Sequence, residues 1–164
     1  MDFLYSCSLS FIFGFDKRSQ QRPYRIPHAK GTVMKQVSSA VIELRDLQLK
    51  TDIGTYGPND TMPDVHILDL TLGISVNQVV IAQDGMAYVF DYDPLVIEID
   101  RLAADGHYET QERLITRIAS ACAAYPAIQH MEICLKKLPV RSGSGSLGVR
   151  LKLDEVATNA LRTS

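Results

Sequence analysis

The feature that narrows the possible folds most is the run Val65–Val76, V-H-I-L-D-L-T-L-G-I-S-V. Leu68, Leu70, Leu72, Ile74 and Val76 share one phase, while Ile67, Asp69, Thr71, Gly73 and Ser75 share the other. A period of two puts successive side chains on opposite faces of a strand. Such a strand belongs in an antiparallel sheet with one face on a core and the other on water or a partner.

Three further segments carry the same period. Val41–Lys50 has Ile42, Leu44, Leu47 and Leu49, and its change of phase near Asp46 predicts a bulge. From His130 on, Met131, Ile133 and Leu135 alternate with Glu132, Cys134 and Lys136, and one more step puts Lys137 on the apolar side. Leu147, Val149, Leu151 and Leu153 form the last strand. Between the two strand pairs the period lengthens to that of a helix. Asp93-Pro94 predicts a helix start with Asp as cap and Pro at the first position, Leu95, Ile99 and Leu102 as its buried side, and Asp105-Gly106 as its end. A second helix is capped by Thr110 and buries Leu114, Ile115, Ile118, Cys122 and Tyr125 before Pro126. Thr51–Met62 reads as a turn-rich loop, Gln78–Asp91 as a loop or weak strand, and Arg141–Ser146 as a Gly/Ser loop.

The order strand, strand, helix, helix, strand, strand predicts an α+β fold. It is a four-stranded antiparallel sheet with both helices on its apolar face. The other face carries Asp69, Thr71, Ser75, Glu132, Lys136, Arg150 and Lys152. A single sheet of this kind has two open edges, and closing several copies into a ring removes them, so a homo-oligomer is expected.

Length and composition fit this. A chain of 164 residues that is 46% hydrophobic can bury one sizeable core. A net charge of −2 without a long basic run argues against nucleic acid as a partner. Cys7, Cys122 and Cys134 are too few and scattered for a disulfide framework, which suits a reducing, cytoplasmic setting. Residues 1–33 read as an extension outside the domain. Their apolar runs are too short for a membrane span, and a basic, proline-punctuated stretch follows them. They are expected to be disordered or to precede the true start at Met34. The domain is then expected over 34–153, with 154–164 as a loose tail. His66, His107 and His130 have no partner at metal or catalytic spacing and read as surface or boundary histidines. No phosphate-binding glycine motif is present; G-S-G-S-L-G at 143–148 precedes a strand.

Several segments together resemble the dihydroneopterin aldolases and their relatives, the dihydroneopterin triphosphate epimerases. L-R-D-L-Q-L-K-T-D-I-G-T-Y at 44–56 is similar to the family's opening strand and I-G-x-Y turn. V-F-D-Y at 89–92 is similar to the segment ending in a substrate-contacting Tyr, here Tyr92. T-Q-E-R-L at 110–114 resembles the helix start that holds the pterin, with Glu112 as the anchor and the backbone of Gln111 beside it. L-K-K-L-P-V at 135–140, followed by S-L-G-V-R-L at 146–151, resembles the end strands with their catalytic lysine, here Lys137.

The resemblance implies a tunnelling fold, assembled as a homo-tetramer or homo-octamer with active sites between subunits. It also implies a retro-aldol reaction without metal or cofactor, splitting 7,8-dihydroneopterin into 6-hydroxymethyl-7,8-dihydropterin and glycolaldehyde on the way to folate. The chemistry suits the residues. A carboxylate such as Glu112 can accept two hydrogen bonds from a pterin's amino-pyrimidinone edge. A lysine drawn to the apolar side is fit for proton transfer, and Tyr92 can position the side chain or pass a proton. The chain departs from the family where a second substrate-contacting Glu is usual: that position is Asn59, next to Asp60. Asn can hydrogen-bond a pterin but cannot act as a base. The epimerase, for which Arg141 could meet a triphosphate, and a non-catalytic pterin-binding subunit therefore stay as alternatives.

Overall fold

The structure is a computed structural model that describes residues 39–163; the expectations for residues 1–33 lie outside the described residues. The long strands are β1 (Ala40–Leu49), β3 (Val65–Ile74), β5 (His130–Leu138) and β6 (Leu147–Leu153), and every neighbouring pair in the order β1-β3-β5-β6 is antiparallel. The predicted phases hold. Leu68, Leu70 and Leu72 of β3 and Met131, Ile133 and Leu135 of β5 are buried under the helices. Each of these large side chains stabilises the fold by roughly 1.5–3 kcal/mol through burial. The bulge is present at Asp46, which takes φ of 54° while the β1–β3 register shifts between Leu44 and Leu47. Asp46 N–H, freed from the ladder, donates to Asp69 Oδ1 at 2.9 Å.

Helices α1 (Asp93–Ala103) and α2 (Gln111–Ala123) cover the apolar face. Thr110 caps α2 as expected, its Oγ1 accepting from Arg113 N–H at 3.3 Å. The start of α1 differs. Tyr92 is the cap position, Asp93 is the first helical residue, and Asp91 accepts the Asp93 N–H at 3.1 Å. The Asp preceding the Asp-Pro pair thus does the work assigned to Asp93. Between β3 and α1 lie two short 3₁₀ turns, Val76–Gln78 and Met86–Tyr88, rather than a strand.

Two elements are additional to the expected order. The loop after β1 contains β2 (Asp52–Ile53), which pairs in parallel with β4 (His107–Tyr108) between the helices. The segment read as a loose tail forms α3 (Glu155–Arg162), so among the described residues three α-helices stand where two were expected. Asp154 Oδ1 caps α3 by accepting from Ala157 N–H at 2.8 Å, and Thr158 is fully buried. Arg162 donates from Nε to Ala123 O at 2.7 Å and from its guanidinium to Tyr125 O at 3.1 Å and to Ile128 O. The last carbonyl of α2 and two in the turn that follows it thereby gain a donor. This clasp is long-range, which is why eight residues with a weak local signal fold into a docked helix.

Candidate active site

Strand β5 carries two adjacent lysines to opposite faces. Lys136 projects to the open face, where Asp69 accepts its hydrogen bond at 3.0 Å and Asp46 lies 3.9 Å away. That face continues with Glu132 between Lys152, at 2.8 Å, and Arg150. The Asp46 amide, and then Lys136, hold the Asp69 carboxyl below its usual range; Lys152 and Arg150 do the same for Glu132.

Lys137 projects to the core face, in the phase of the buried Met131, Ile133 and Leu135. Its register partner across the sheet is His66 on β3. Its Nζ lies 5.4 Å from the centre of the Tyr56 ring, within range of a cation–π contact. No carboxylate pairs with Lys137 among the described residues. Tyr56 is placed by the I-G-T-Y turn. Gly54 takes φ of +92°, a Cβ there would stand 3.1 Å from the Tyr56 hydroxyl, and Gly54 N–H donates to Tyr108 O at 2.8 Å.

Tyr56 and His66 line a cavity of about 410 Å³ with Gln48–Ile53 and Met62–Val65, a volume within the ordinary range for small-molecule sites. His66 is not the surface or boundary residue the sequence suggested. It is 4% exposed, and its Nε2 is buried without a hydrogen-bond partner. Burial, and then the charge of Lys137, lower the imidazole pKa below its ordinary value, so it is neutral at pH 7. The signal was present in the sequence, because His66 shares the phase of Leu68, Leu70 and Leu72. The position opposite Lys137 is set by pairing between strands far apart in sequence, and no local pattern encodes it.

The other expected site residues are spread over the chain. Glu112 is exposed in the first turn of α2, four residues after Tyr108, so the β2–β4 pair ties its helix start to the Tyr56 turn. Gln111 is half-buried, with its Oε1 unpartnered. Asn59 is exposed in the turn after Tyr56, outside the cavity lining, and the neighbouring Asp60 carboxylate accepts the Gly57 N–H at 2.7 Å. Tyr92 lies away from Lys137. It is 50% exposed and lines an apolar groove with Ile42, Leu44, Leu72 and Leu95 on the β1 side of the sheet. One chain therefore brings Lys137, Tyr56 and His66 together and leaves Tyr92 apart.

The sheet order, the helices confined to one face and the charged second face define a tunnelling-fold protein. Among solved structures, the chain resembles a dihydroneopterin aldolase from Burkholderia thailendensis bound to guanine, with 20% identity, a TM-score of 0.60, and coverage of 71% of this chain and 91% of that one. It also resembles an E. coli dihydroneopterin aldolase in complex with neopterin, with 18% identity, a TM-score of 0.57, and coverage of 69% and 97%. At these identities the likeness is one of fold. No curated protein matches the chain significantly. The FolB dihydroneopterin aldolase model matches residues 42–152, and the chain belongs to that family. None of the helices among the described residues is long and apolar enough to cross a membrane.

Proposed function

We propose that the chain is a dihydroneopterin aldolase that splits 7,8-dihydroneopterin into 6-hydroxymethyl-7,8-dihydropterin and glycolaldehyde, a carbon–carbon lyase of folate biosynthesis. The observation that carries the reading is Lys137, placed on the core face over Tyr56 and beside a cavity of ligand size, in a chain of this family. Cleavage needs a base for a side-chain hydroxyl and an acid for the carbon left on the ring. The dihydropterin's own C=N bond accepts the electron pair, so the step requires neither a Schiff base nor a metal or cofactor. Lys137 moves protons in this step. Glu112 accepts from the amino-pyrimidinone edge with Gln111 beside it, and Asn59 contributes a neutral hydrogen bond.

Tyr92 takes part from a neighbouring copy. The support is its distance from Lys137 in the sheet order and its place on an exposed apolar surface with Val79 and Met86. The open edges of β1 and β6 and the charged second face suit a homo-tetramer or homo-octamer closed into a barrel, working in the cytoplasm.

The test is incubation of purified protein with 7,8-dihydroneopterin and, separately, with its triphosphate, followed by separation of the pterins, with light scattering on the same sample. Glycolaldehyde release from the first substrate by an oligomer is expected. A stable monomer at micromolar concentration contradicts the shared site, and epimerised triphosphate without cleavage contradicts the lyase.

A further inference from the structure

We propose that His66 is a further catalytic residue, the neutral base that takes the proton from the substrate's side-chain hydroxyl while Lys137 serves as the acid. This rests on the aldolase reading of the same site. Three observations support it. His66 lies in register with Lys137 across β3 and β5 on the core face. It lines the cavity that also holds Tyr56. Its Nε2 is buried and unpartnered, and a buried nitrogen lacking any hydrogen bond costs stability unless a bound group completes it. The titratable groups around it are Lys137 on β5, Tyr56, and Lys50, Asp52 and Asp64 along the same cavity. Buried, and then facing the lysine's positive charge, the imidazole stays neutral, the form a base requires.

The division of labour follows from what the chain lacks. Asn59 cannot take a proton, and Asp60, the nearest carboxylate in sequence, is engaged on the Gly57 N–H. His66 fills that gap. Its Nε2 takes the hydroxyl proton as the C–O bond becomes C=O and the adjoining C–C bond breaks. The electron pair moves into the pterin ring and returns to form a C–H bond with a proton from the Lys137 ammonium. The imidazolium then returns its proton to the neutral amine opposite. One C–C bond and one O–H bond are lost, one C–H bond and one C=O π bond form, and no redox partner is needed.

The test uses the full chain with His66→Gln, which keeps a polar side chain, and His66→Phe, which fills the buried space without a nitrogen. Turnover of 7,8-dihydroneopterin should fall about a hundredfold or more in both, while neopterin affinity by fluorescence stays within about threefold. The acid limb of the wild-type kcat profile should vanish in His66→Gln. Variants that bind and turn over like wild type, with the acid limb intact, overturn the proposal. In parallel, the ¹⁵N resonance of His66 Nε2 is followed in wild type as neopterin is added, with a pterin lacking the hydroxylated side chain as control. A shift with neopterin alone supports the contact, and an unmoved resonance overturns it. A wild type that binds neopterin but cleaves nothing sinks the lyase reading by itself, and the resonance still decides the contact.

Discussion

Lys136 and Lys137 are neighbours in the chain and belong to different environments. Lys136 is held by Asp69 and faced by Asp46 in the charged network of the open sheet face. Lys137 has an aromatic ring beside it and a neutral imidazole as its register partner, both of which line a cavity, and no carboxylate pairs with it among the described residues. One step along a strand reverses the face, and with it the partners. An ion-paired ammonium has its proton fixed by the carboxylate, whereas an unpaired one beside a cavity is available to a ligand. Position along the strand thus decides both the partners each lysine has and those it lacks.

The largest expected effect comes from removing the second of the pair. Lys137→Ala should lower turnover by about a hundredfold or more with pterin affinity little changed, measured by steady-state kinetics beside fluorescence titration.

The phase of Lys137 was legible in the sequence, because Met131, Ile133 and Leu135 lead directly to it. So were the Asp46 bulge and the Thr110 cap, each written in residues close together in the chain. Helix α3 was not, since Arg162 reaches back to carbonyls more than thirty residues away. Nor was the pairing of His66 with Lys137, which depends on the β3–β5 register rather than on any local pattern. In the reading proposed above, Tyr92 serves a site on a neighbouring copy, an arrangement that a single chain does not display.

Glu112→Gln sharpens the comparison by separating recognition from chemistry. Glu112 is exposed on α2 and belongs to neither lysine's surroundings. Losing its charged acceptor should weaken pterin binding by about 2 kcal/mol, or roughly thirtyfold, with a smaller change in kcat.

Acid separates the two faces by pH window. The folded His66 pKa is depressed below 6.5, so as pH falls below that value the unfolded chain binds a proton that the folded chain refuses, and stability drops. Asp69 and Glu132 are depressed from 3.8 and 4.5, so their contribution is present above those values and is lost as pH falls through their folded pKa values. Thermal melts should show two stages of loss on acidification, and His66→Phe should remove only the first. The smallest effect is expected for Lys136→Ala. It should leave turnover within about twofold and barely move the thermal midpoint, as expected for an ion pair near the surface.

The most direct measurement is glycolaldehyde release from 7,8-dihydroneopterin by wild type, Lys136→Ala and Lys137→Ala at matched, pterin-saturated concentrations. The account predicts wild-type release from Lys136→Ala and about one hundredth of it, or less, from Lys137→Ala. Loss of release in Lys136→Ala with Lys137→Ala unaffected would place the chemistry on the open face and contradict it.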